Sequence, residues 1–214
     1  MSLTQAHHVF AGVFETGINT FIKAVCAARG HYINYGSSSF VPVTTAGATN
    51  MAPIPFPGVP GGVQWAVSLS TPALDLFPDS SGGTSPLPPV ANGFNVHTQA
   101  TIQIGCATWQ GKDTGKVTPL KTVLDVWALG ELVSNYSGPG TGFISLKVDS
   151  VLIPGIKPDT LDTLLDCLLR MIMAAALANI TLPFHSFSLG AFQLILEQGP
   201  EISDNQVKVW GNIS

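Results

Sequence analysis

From about Thr4 to Arg29 the apolar residues fall at helical spacing: Val9, Phe10, Val13, Phe14, Ile18, Phe21, Ile22 and Val25. Polar residues are equally regular. Glu15, Asn19 and Lys23 recur every fourth position, which predicts a helix that is wet along one narrow stripe and covered on more than one side. A second helix is expected from about Pro158 to Ala178. Proline suits a first helical turn, and Asp159 and Asp162 favour the positive end of the helix dipole. Asp162, Asp166 and Arg170 form another thin stripe, with Asp166 and Arg170 spaced to pair one turn apart. Leu161, Leu164, Leu165, Leu168, Leu169, Ile172 and Met173 fill the rest of that helix.

Between the helices the period changes to two. Phe94, Val96, Thr98, Ala100, Ile102, Ile104 and Cys106 alternate with Asn95, His97, Gln99, Thr101, Gln103 and Gly105, predicting a long strand with one dry and one wet face. Trp65, Val67 and Leu69 alternate likewise, and Pro72 is expected to shift the register before Leu74 and Leu76. Gly30 closes the first helix, and His31 to Tyr35 reads as a short strand. Leu120 to Val133 and Phe143 to Leu152 read as a hairpin around Ser137-Gly138-Pro139-Gly140, and Phe187 to Leu196 and Gln206 to Ile213 as a closing pair around Ser203-Asp204-Asn205. Two stretches rich in Pro, Gly and Ser separate these elements. Residues 37–62, with apolar Phe40, Met51, Ile54 and Phe56, form an edge, a wrap or a lid; residues 78–93 read as a long turn.

The 214 residues suit one domain with a sizeable core. Only 10% are Asp, Glu, Lys or Arg, against roughly a quarter in ordinary globular proteins, and the mean hydropathy is +0.34. Part of this apolar surplus therefore faces a cavity, a partner or acyl chains. The closest approach to a membrane span, Leu164 to Ile180, is interrupted by Asp166 and Arg170, and no basic n-region or cleavage site of a signal peptide is visible, so a soluble protein is expected. A net charge of −4 offers no basic field for nucleic acid. Cys26, Cys106 and Cys167 are widely separated and read as buried apolar residues.

Towards the C-terminus the order of pieces is distinctive. A strand ending Val148-Asp149-Ser150-Val151 leads through Pro154-Gly155-Ile156 into the apolar helix, then Ile180-Thr181-Leu182-Pro183-Phe184 and a final pair ending Val207-Lys208-Val209. This order, with Gly17-Ile18 and Phe21 in an opening helix, resembles the tubular lipid-binding (TULIP) superfamily, whose fold is that of the bactericidal/permeability-increasing protein. The resemblance implies an α+β fold in which a strongly curved antiparallel sheet, a half-barrel, wraps a long C-terminal helix with an N-terminal helix alongside, leaving a hydrophobic tunnel. It further implies a lipid or other hydrophobic small molecule as partner, taken up for sequestration or transfer. Phe10, Phe14, Phe21, Leu165, Leu168 and Ile172 on the helices, and Trp65, Val67, Phe94, Val96 and Ile102 on strands, are the candidate ligand contacts. Ordinary core, touching other side chains, is the favoured reading of each. The alternative function follows from that: a structural or interaction protein with a filled core, whose apolar surface serves a homo-oligomer or another partner.

No constellation for catalysis stands out, and neither cofactor nor metal is expected. Gly111-Lys112-Asp113-Thr114-Gly115-Lys116 is one residue short of a phosphate loop and leads into a strand, so it reads as a charged hairpin loop whose lysines could make transient membrane contact. His7 and His8 are adjacent and diverge on a helix, fitting capping roles better than a shared metal. Ser38, His185 and Ser186 lack a nucleophile elbow. Asp75 and Asp79 read as turn-makers rather than half a calcium site. Asn135, Asn179 and Asn212 begin glycosylation-type triplets that chance accounts for.

Overall fold

A computed structural model describes residues 6–41, 46–76, 86–87, 92–106, 120–138, 141–154, 160–178, 180–184, 194–203 and 205–213. The elements are β1 (Val9–Phe14), α1 (Glu15–Ala28), β2 (Asn34–Ser37), β3 (Thr49–Met51), β4 (Val63–Leu69), β5 (Ala73–Leu76), β6 (Gly93–Cys106), β7 (Leu120–Gly138), β8 (Thr141–Leu152), α2 (Thr160–Ala178), β9 (Thr181–Phe184), β10 (Leu194–Ser203) and β11 (Gln206–Ile213). Eight strands form the main sheet, in the order β3-β2-β4-β6-β7-β8-β9, with β5 also paired to β6. It curls strongly into a half-barrel, and two helices complete an α+β fold. The sheet is mixed rather than wholly antiparallel, because β2 and β3 run parallel, Tyr35 opposite Thr49. A second, three-stranded sheet of order β1-β11-β10 joins the two ends of the described chain.

The single N-terminal helix expected from Thr4 is half strand. Val9, Phe10, Val13 and Phe14 are β-branched or aromatic and Gly12 is a poor helix former, so the stretch accepts an extended backbone readily. A distant partner decides the matter: β1 pairs antiparallel with β11 from Val9 opposite Gly211 to Phe14 opposite Gln206. The helix begins only after Phe14, where the Glu15 N–H donates to the Asn205 carbonyl at 2.9 Å.

The expectation of a long C-terminal helix is also not supported. α2 has 19 residues, the same number as β7. At about 1.5 Å per helical residue it spans roughly 28 Å, while a strand of that length reaches roughly 60 Å. It therefore covers only part of the curled sheet. Its anticipated start at Pro158 and Asp159 lies outside the described residues, as do the side chains of Asp162 and Asp166.

Several boundaries move. His31 and Tyr32 belong to a 3-10 turn, Gly30–Tyr32, and the strand that follows is β2. The hairpin strands β7 and β8 extend further towards their turn than expected. The penultimate strand is β10, which runs on to Ser203; residues 187–193 lie outside the described set. The Pro-rich segment is a wrap with an edge strand in it. Ile54 pairs with Val63, the Trp65 indole N–H donates to the Ala52 carbonyl at 3.2 Å, and Met51 and Ile54 pack against the core. Pro72 does mark a register shift: β4 pairs Leu69 with Ala100 and β5 pairs Ala73 with His97, so an extra residue enters on one side and Leu74 and Leu76 turn to the dry face.

One core unites the layers. Ile18, Ile22 and Cys26 of α1, Leu165, Leu168, Leu169, Ile172, Met173, Ala176 and Leu177 of α2, and the dry faces of β4 to β8 form a single cluster, which Ile202, Val207 and Val209 of the three-stranded sheet join. The stripe Glu15-Asn19-Lys23 is not simply wet. Asn19 Nδ2 donates to the Leu74 carbonyl at 2.7 Å, its Oδ1 accepts from the Leu74 N–H at 2.8 Å, and Glu15 Oε2 accepts from the Leu76 N–H at 2.9 Å. α1 thus seals the outer edge of β5, and only Lys23 of the three is exposed.

Candidate functional site

α1 has three working faces. Ile18, Ile22 and Cys26 enter the core, Glu15 and Asn19 hold β5 on one flank, and Phe21, Ala24, Val25 and Ala28 line the other flank at spacings of three and four. That last flank, with Arg29, Tyr32 and Thr181, borders an open groove of about 440 Å³. A second groove of about 400 Å³ lies between His31, Tyr32 and Tyr35, the strand residues Thr49 and Met51, and Met171, Ile172 and Ala175 of α2. Tyr32 borders both.

The junction is held by short-range contacts. α1 ends with the Arg29 N–H on the Val25 carbonyl at 2.8 Å, and the 3-10 turn places Tyr32 beside it through a 3.0 Å bond from its own N–H to the Arg29 carbonyl. Arg29 Nη1 donates to the Tyr32 hydroxyl at 2.7 Å, and the guanidinium carbon lies 5.7 Å from the ring centroid. The Tyr35 hydroxyl donates to the Tyr32 carbonyl at 2.6 Å. Burial, with smaller contributions from the neighbouring Cys26 and Tyr32, pushes the Tyr35 phenol up to about 12, so it stays a neutral donor across the physiological range. Burial likewise raises the Cys26 thiol.

The eleven residues expected to touch ligand divide three ways. Trp65, Val67, Phe94, Val96, Ile102, Leu165, Leu168 and Ile172 are 0–8% exposed and belong to the common core; of these, Ile172 also edges the second groove and Val67 a third, of about 340 Å³, beside Asn34 and Phe40. Phe10 and Phe14 sit on β1 rather than on a helix: Phe10 packs against Trp210 with centroids 5.7 Å apart, and Phe14 is 59% exposed. Phe21, 37% exposed, is the aromatic that does line a groove. Arg29, Tyr32, Met171 and Ala175 were not singled out. For Met171 and Ala175 a signal existed in composition: apart from Arg170, the exposed, described side chains of α2 are Thr163, Cys167, Met171, Ala174, Ala175 and Ala178, none of them charged.

The remaining candidates resolve quietly or fall outside view. The loop 111–116, Asp79, Asn179, His185 and Ser186 lie outside the described residues. His7 and His8 precede β1 in non-helical chain; His8 Nδ1 accepts from the Ile213 N–H at 3.2 Å and so caps the β1–β11 ladder. The amides of Asn135 and Asn212 bond Ser145 Oγ and Glu197 Oε2. Asn95, expected on a wet face, is buried, and His97 stacks on Trp127 at 4.2 Å. Among the described residues, no group of three His, Cys, Asp or Glu could hold a metal ion, and no helix is long and apolar enough to cross a membrane. No protein-family model matches the chain, and no curated protein matches it either.

Proposed function

We propose that this chain is a TULIP-like, non-enzymatic protein that binds a lipid or another elongated hydrophobic ligand for sequestration or transfer. The observation that carries the reading is the pair of open, mainly apolar grooves that share Tyr32 as a wall, about 440 and 400 Å³ in volume. Small-molecule sites occupy roughly 300–1,000 Å³. The binding region in this reading is the open side of the half-barrel, at Phe21, Tyr32 and Met171, because eight of the eleven candidate contacts pack against one another in the core. Met171, 49% exposed, is unbranched and adaptable, a side chain suited to varied acyl chains. Native mass spectrometry of protein purified without detergent tests this: the expected spectrum carries an adduct of lipid mass that solvent extraction removes, or that returns on adding acyl chains. A bare protein mass under both conditions contradicts it.

A second reading, an interaction protein that meets a partner or another copy through apolar surface, is favoured by β1. This strand has no charged residue, exposes Val13 and Phe14, and pairs among the described residues only with β11. Uncharged edge strands are templates for further pairing. If β1 forms such an interface, Val13→Lys converts an associated species to monomer in sedimentation; a wild-type monomer at micromolar concentration removes the reading.

A further inference from the structure

Among the described residues that border these two grooves, one carries a permanent charge, and it stands in the first beside Tyr32, which borders both. Arg29 lays its guanidinium over Tyr32 and donates to that hydroxyl at 2.7 Å. Among the described residues no carboxylate pairs with it; the described ion pairs involve His7, His97 and Lys147 instead. The negative end of the α1 dipole favours a cation here. That accounts for charge at the helix end, but not for a guanidinium held against the aromatic ring that borders both apolar grooves. An arginine offers several N–H donors in a planar fork that matches carboxylate and phosphate oxygens, and the tyrosine hydroxyl occupies only part of it. The chain as a whole has 9 Lys and Arg against 13 Asp and Glu, so its overall field repels anions and an arginine on the wall of an apolar groove is a local exception.

Resting on the hydrophobic-ligand reading above, we propose that the ligand is an acidic single-chain amphiphile. Its anionic head group, carboxylate or phosphate, accepts from Arg29 while its acyl chain lies along Phe21, Ala24 and Ala28. Tyr32 positions the guanidinium and closes the head-group end of the groove.

Calorimetric titration at mildly alkaline pH, below micellar concentrations, compares palmitate, hexadecanol and a lysophosphatidic acid on the wild-type chain and on Arg29→Gln. Wild type is expected to bind an acid at least about tenfold tighter than the alcohol, the strength of one charge-assisted contact. Arg29→Gln is expected to lose that preference while keeping its affinity for hexadecanol, and added salt weakens the acids alone. Whichever acid binds tighter tells carboxylate from phosphate. Equal affinity for acid and alcohol in wild type, or an unchanged preference in Arg29→Gln, overturns the head-group assignment and leaves the hydrophobic-ligand reading standing. Failure of all three amphiphiles to bind overturns both.

Discussion

Glu15 and Asn19 do for β5 what a neighbouring strand would do. An edge strand presents N–H and C=O groups outward, and a carboxylate and an amide one helical turn apart reach the Leu76 and Leu74 groups that point the same way. The cost falls on Glu15: loss of hydration raises its carboxyl above the usual value of 4.5, the Leu76 N–H opposes the rise, and the charge of Asp75 adds to it. A folded-state value above the unfolded one means that the native state holds the extra proton. The stability Glu15 contributes is therefore fully present below about pH 4.5 and is lost as pH rises through its folded value. Glu15→Gln keeps an oxygen for Leu76 and removes the charge. The melting temperature of this variant relative to wild type is expected to rise between pH 4 and pH 7; a difference that is flat or falls with pH contradicts the assignment. The fourfold spacing of these residues was legible in the sequence, but its meaning was not. Edge backbone groups and water satisfy a polar stripe equally well, and periodicity does not distinguish them.

At the scale of elements, bulges shape the sheet. β7 and β8 change register between Leu129 and Gly130, which sits directly across from Phe94 of β6. A methyl group at Gly130 would come within 2.6 Å of the Phe94 ring and closer still to the Lys147 carbonyl, and that backbone oxygen has no room to give. Gly130→Ala is expected to lower unfolding free energy by about 1–3 kcal/mol, read from the denaturant midpoint; an unchanged midpoint would mean that the strands separate here at little cost. The alternation in β4 and β6 and the Pro72 shift were readable because both follow from local side-chain period. The division of the N-terminal segment into β1 and α1 was not. Val9, Phe10, Val13 and Phe14 satisfy a helical spacing and a strand composition at once, and the partner that decides between them lies at the far end of the chain.

The molecule turns most of its apolar surplus to a core in which both helices meet the dry face of the curled sheet. Part of what remains lines the two grooves beside Tyr32, and part is exposed elsewhere, as at Val13 and Phe14 of β1. Low charge and broad apolar helices therefore made the α+β class and the burial legible, while the location of the candidate site was not. Trp65, Phe94 and Leu168 look the same in sequence whether they touch ligand or one another; only packing places them in the core. Binding along the flank of α1 is the central claim, and a titration with a polarity-sensitive fluorescent acyl probe tests it most directly on wild type and Ala24→Trp. Ala24 is exposed on α1, so the indole can fill the groove without entering the core. Saturable binding to wild type and at least about tenfold weaker binding to a variant of unchanged melting temperature is the expected result. Equal binding by the two proteins, or no saturable binding to wild type, would contradict the claim.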